Sequence, residues 1–125
     1  IKQEVFIADF NWDKISKLVG KMKVPKINVS KFPSIRRDLA LLLDKNVKFT
    51  DIQQIAVKNG KKQLRNVDLF DVYEGEKIAE DKKSYAVSYI FRDDEKTMTD
   101  KDIDQIMSKM IEQYSKQLSA VVRGQ

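Results

Sequence analysis

Between Thr99 and Leu118 the apolar residues Ile103, Ile106, Met107, Met110, Ile111, Tyr114 and Leu118 recur at three- and four-residue intervals, forming one continuous stripe along a helix. Asp100 and Asp102 stand in its first turn, where the positive helix end favours carboxylates. A long helix this one-sided must lay its stripe on an apolar surface of similar length. The question for the rest of the chain is what supplies that surface.

Strands do. The segment "RRDLALLLD" (36–44) reads as a strand, and "LRNVDLFDVYEG" (64–75) and "KSYAVSYIFRDD" (83–94) read as two more, separated by a polar loop containing Gly75. "SAVVR" (119–123) closes the chain as a fourth. "FTDIQQIAVKNGKK" (49–62) predicts a second helix: Thr50 precedes Gln53 by three residues, a capping-box spacing. Ile52, Ile55 and Ala56 then share a face, and Gly60 provides a stop. The order β, α, β, β, α, β predicts an α+β fold, a ferredoxin-like βαββαβ sandwich. Its four-stranded antiparallel sheet has the first and third strands at the centre and both helices on one face.

Ahead of this unit, "VFIADFNWDKISKLVGKMKVPKINV" predicts a short strand, a helix from about Asp13, and a connection punctuated by Gly20 and Pro25. A boundary is expected near Ile27. Residues 1–27 are then the tail of a preceding domain plus a linker, and residues 28–125 the folded domain. A chain of 125 residues is too short for two substantial cores. Because it opens on Ile1, it is expected to be a piece of something longer.

The chain has no cysteine and no histidine, which removes disulfides, thiolate chemistry, imidazole bases and the usual zinc ligands. No phosphate-cradling G-x-x-x-x-G-K-S/T pattern is present and no apolar run suits a membrane helix. The acids of "FRDDEKTMTDKD" read as helix capping and solubility rather than a divalent-metal loop. No catalytic residue, metal site or cofactor is expected here. A net charge of +5 mildly favours an anionic partner. The cluster Lys58, Lys61, Lys62 and Arg65 reads as a solvated helix end.

Alternation sorts the two central strands by face. Tyr85, Val87, Tyr89 and Phe91 are bulky and belong under the helices, as do Leu39, Leu41 and Leu43. Ser84, Ala86, Ser88, Ile90 and Arg92, with Arg36, Asp38, Ala40 and Leu42, then look outward. This predicts a shallow platform of small residues bordered by Arg36, Arg92 and Arg123. A base could lie flat on it while guanidinium groups meet phosphate or stack. A plain solvated sheet face has the same pattern. The third-strand signature of RNA-recognition motifs is not met, since Ser84 stands where a glycine is required and the first strand has no aromatic. A small-ligand regulatory or protein-interaction domain of the same topology is the alternative. The turn "DKNVKFT", however, lacks the glycines that let a ligand approach backbone.

"KFPSIRRDLALLLD", "VDLFDVYEGEKI", "KKSYAVSYIFRD" and "LSAVVR" together resemble the C-terminal anticodon-binding domains of bacterial phenylalanyl-tRNA synthetase β subunits, over about residues 28–123. The leading "VFIADFNW" resembles the last strand of the domain that precedes them. The resemblance implies a non-catalytic domain that reads the anticodon of phenylalanine tRNA in the cytoplasm, while ATP- and magnesium-dependent ligation occurs elsewhere in an αβ heterotetramer. It also implies RNA contacts at the small residue of the R-D-L-A strand and at the serine of the K-S pair. These correspond to Ala40 and Ser84. The expected RNA-binding set is therefore Arg36, Ala40, Ser84, Ala86, Ser88, Arg92 and Arg123.

Overall fold

The structure is a computed structural model that describes residues 4–22 and 30–123. Helix α1 (Trp12–Val19) starts behind Asn11, whose side chain accepts from the Lys14 backbone N–H at 2.9 Å. Residues 4–11 form no strand, against the expectation from "VFIADF". A strand depends on hydrogen bonds to a neighbour, and no described residue pairs with this segment. Phe6, Ile7, Phe10 and Trp12 are exposed, and α1 buries none of its residues. The boundary expected near Ile27 lies outside the described residues.

The elements that follow are β1 (Ile35–Asp44), α2 (Phe49–Gly60), β2 (Leu64–Tyr73), β3 (Lys82–Phe91), α3 (Asp100–Leu118) and β4 (Val121–Arg123). The strands pair antiparallel in the order β2-β3-β1-β4, with β1 and β3 central, as the ferredoxin-like reading requires.

The helix ends show how locally the chain is specified. At α3 the Thr99 hydroxyl accepts from the Asp102 N–H at 3.2 Å, and the Asp102 carboxylate accepts from the Thr99 N–H at 3.1 Å, a complete capping box. These bonds from Thr99 hold the Asp102 carboxyl below the usual carboxylate range. At α2 the expected Thr50–Gln53 box does not form. The cap is Lys48, whose backbone N–H donates to Asp51 at 2.9 Å, because a carboxylate in the first turn satisfies that donor and also meets the positive helix end. Gly60 ends α2 through space rather than dihedral freedom: a Cβ there would lie 2.4 Å from the Leu64 Cβ. Lys61 takes the unusual backbone instead, at φ 48°.

The core lies between the two helices and one sheet face. Leu41, Leu43, Tyr85, Val87, Tyr89 and Phe91 from the central strands meet Ile52 and Ala56 of α2 and Ile103, Met110 and Tyr114 of α3. Ile106, Ile111 and Leu118 are half-buried at the margin of the stripe. Inside this core the Tyr89 hydroxyl donates to the Tyr114 hydroxyl at 3.1 Å, which donates to the Ile52 carbonyl at 3.3 Å. This chain of hydroxyls ties β3, α3 and α2 together. Burial pushes the Tyr114 hydroxyl up to about 12 and raises Tyr89 as well. Arg37 shares the parity of the inward leucines and reaches from the mouth of the core to Asp100 at the start of α3. No helix among the described residues is long and apolar enough to cross a membrane.

Candidate nucleic-acid interface

The sheet face that α2 and α3 leave uncovered is organised in rows by strand register. One row runs Asp71, Ala86, Ala40, Arg123; the next runs Tyr73, Ser84, Leu42, Val121. On the other side of the first lie Asp68, Ser88, Asp38, and then Asn66, Ile90, Arg36. Ala40 and Ala86 are direct partners across the central pair, and Arg123 is the partner of Ala40 on the other side. Ser84 and Ser88 flank Ala86 along β3. Five of the seven expected residues therefore gather around one point of the sheet.

The surface they make differs in relief from the expected shallow platform. Ser84 and Ser88 are only 7% and 6% exposed although they point to the uncovered face. Short hydroxyl side chains on a central strand are overshadowed by taller neighbours, here Tyr73 and Leu42 beside Ser84, and Asp68 and Asp38 beside Ser88. The small residues form the floor of a groove between these walls.

Strand β2 supplies a wall that sequence alternation did not reveal. A register shift between Leu69 and Asp71 inserts Phe70 as an extra residue, so that Asp71 and Tyr73 oppose the outward Ala86 and Ser84. Phe70 is 52% exposed and Tyr73 38% exposed. Counting outward from the buried Val67 and the partly buried Leu69 would have found Phe70; Tyr73 reaches this face only through the bulge. The Tyr73 ring lies back over the following turn, where a Cβ on Gly75 would come within 2.7 Å of its hydroxyl oxygen. Gly75 is thus the residue that lets the ring settle there.

The three arginines have different fates. Arg36 Nε donates to Asp38 at 2.8 Å, and its guanidinium carbon stands 5.4 Å from the centroid of the Phe70 ring. The bond to Asp38 raises the Arg36 pKa, and the nearby Asp68 charge adds to the effect. Arg123 is exposed beside Ala40. Arg92 lies beyond the end of β3 and is half-buried. Its Nε is shielded from solvent 3.2 Å from an Asp94 oxygen, an ion pair whose alignment falls short of a hydrogen bond. Arg65 also pairs with Asp94, at 2.5 Å, and donates to the Arg92 carbonyl at 3.2 Å. Lys61, Lys62 and Arg65 border a depression shared with Asp93, Asp94 and Glu95, so the basic cluster is largely offset by acids.

The element order and the β2-β3-β1-β4 sheet, with both helices on one face, define a ferredoxin-like α+β domain. The chain belongs to the ferredoxin-fold anticodon binding domain family, whose model matches residues 30–123. It is 49% identical over 98% of its length to the phenylalanine–tRNA ligase beta subunit of Bacteroides thetaiotaomicron, of which it spans 15%. The beta subunit of Porphyromonas gingivalis is 45% identical over the same shares, and that of Listeria monocytogenes 40% identical over 82% of this chain and 13% of the relative. The chain therefore spans about one-seventh of the curated relatives it matches.

Proposed function

We propose that this chain is the anticodon-reading part of a phenylalanine–tRNA ligase β subunit, and that its uncovered sheet face binds the anticodon region of phenylalanine tRNA. The observation that carries this reading is the Ala40–Ala86 pair at the centre of the groove, with Ser84 beside it and Arg123 next to Ala40. Small side chains let the plane of a base approach the strands, the serine hydroxyl offers a donor and an acceptor, and the arginine meets phosphate. Residues 28–125 form the RNA-binding domain, and residues 1–27 are the tail of a preceding domain plus a linker. The domain performs no chemistry. Ligation of phenylalanine with ATP and magnesium belongs to the remainder of a cytoplasmic αβ heterotetramer, with which this domain travels.

The test is a titration of phenylalanine tRNA, and of the same tRNA with a changed anticodon, at several salt concentrations. Ala40→Glu fills the centre of the groove and sets a carboxylate against phosphates, so it is expected to lose about 2–3 kcal/mol of binding. Ser84→Ala removes one polar contact and is expected to lose about 1 kcal/mol. Binding that ignores both the anticodon and Ala40→Glu would refute the reading and leave a ferredoxin-like protein-interaction domain as the alternative.

A further inference from the structure

We infer that Arg36 and Phe70 together form a second stacking position, which takes an unpaired base of the RNA next to the one held over Ala40 and Ala86. This inference rests on the function proposed above and adds residues that alternation along β1 and β3 assigned to phosphate contact or did not assign at all.

The argument begins with the charge of Arg36. A guanidinium that neutralises a phosphate should be free of carboxylates. This one is hydrogen-bonded to Asp38, and Asp68 lies in the neighbouring row on the far side of Ser88. One arginine among two carboxylates gives a local surplus of negative charge, which repels phosphate. What Asp38 does is fix orientation. By holding Nε it fixes the plane of the guanidinium beside the Phe70 ring, 5.4 Å from carbon to centroid. Long arginine side chains normally lose rotamer freedom on binding, and here part of that loss has already occurred.

Phe70 gives the second half. A phenylalanine more than half exposed on a sheet face is costly to leave in water, and the β2 bulge presents it at the edge of the groove. An aromatic ring and a guanidinium plane are the two protein surfaces on which unpaired bases stack. Arg36 lies four residues along β1 from Ala40, about 13 Å at the usual strand rise, a span that a single-stranded loop covers within a few nucleotides. The pair is thus continuous with the groove floor. Its occupant is a nucleobase and not an apolar side chain, because the guanidinium and its carboxylates keep the site polar on one flank.

The experiment uses the 125-residue chain and a hairpin with the anticodon stem-loop sequence of phenylalanine tRNA, in which 2-aminopurine replaces each loop base in turn. Stacking on the pair should quench one loop position besides the one that Ala40→Glu releases. Phe70→Ala should weaken hairpin binding about tenfold, restore that fluorescence, and leave the salt slope unchanged, since no phosphate contact is lost. Arg36→Gln should likewise weaken binding at constant slope, and Asp38→Asn should lower affinity with a partial return of fluorescence. The urea midpoint of each variant guards against misfolding, to which an exposed ring contributes little. If Phe70→Ala and Arg36→Gln bind like the parent while Ala40→Glu does not, the stacking position is refuted and the anticodon reading stands. A salt slope that falls by about one unit in Arg36→Gln would also overturn it, in favour of a phosphate contact. If the parent chain leaves the hairpin unbound, the proposed function fails together with this inference.

Discussion

The hydroxyl chain Tyr89, Tyr114, Ile52 makes a prediction whose sign depends on direction. Tyr114→Phe removes the group that both accepts from Tyr89 and donates to the Ile52 carbonyl. The Tyr89 hydroxyl is then left in a core with no acceptor, and an orphaned buried donor costs about 1–3 kcal/mol. Tyr89→Phe is milder: Tyr114 keeps its bond to Ile52, and only one net hydrogen bond is lost, about 0.5–1.5 kcal/mol. The double variant removes both polar groups from the dry interior and should be no less stable than Tyr114→Phe alone. Urea unfolding of the four proteins measures this, and the coupling should be about 1 kcal/mol in favour of the double variant. The alkaline limb gives a second readout. Both hydroxyls stay protonated in the folded state above the unfolded value near 10, so their contribution is intact below about pH 10 and is lost as pH rises beyond it. The double phenylalanine variant should flatten that decline. Additive single effects, or a Tyr89→Phe costlier than Tyr114→Phe, would refute the chain as drawn.

Met110, fully buried in the middle of the α3 stripe, should not tolerate Met110→Asp: an unpaired carboxylate there costs several kcal/mol, comparable with the stability of a whole domain, and the variant should lose its cooperative melt. Lys61→Gly relieves a backbone that side chains disfavour and should raise stability by about 1 kcal/mol, seen as a melting-point rise of about 4–8 °C. Gly60→Ala should do the reverse, because its new methyl collides with Leu64, and a stability equal to the parent's would show that the α2–β2 turn yields easily.

What could be read in advance divides along physical lines. The stripe of α3 and the contrast between Tyr85, Val87, Tyr89, Phe91 and their small neighbours were legible because burial of large side chains fixes register and face together. From that contrast came the outward positions of Ala40, Ser84, Ala86 and Ser88, without reference to any relative. The recessed depth of the two serines was not legible, since it depends on the height of residues on neighbouring strands. Tyr73 was hidden by a bulge that shifts alternation by one residue, and no residue type announces a bulge in "LFDVY". Lys61 shows the same limit: Gly60 was legible as the stop of α2, but nothing in a lysine announces the positive φ that follows it. The N-terminal segment failed for a different reason, because the apolar run of "VFIA" favours a strand but cannot supply the partner.

The irregularities of β2 also bear on how the protein behaves in a crowded solution. β2 and β4 are the two free margins of the sheet. A long, flat margin with Phe70 and Val72 exposed would invite another copy to continue the ladder of hydrogen bonds. Two register shifts interrupt β2, at Arg65 and at Phe70, and among the described residues β4 offers only three. Neither margin can template a matching strand over any useful length. The kink at the exposed Phe70 ring therefore also keeps neighbouring molecules from joining sheet to sheet.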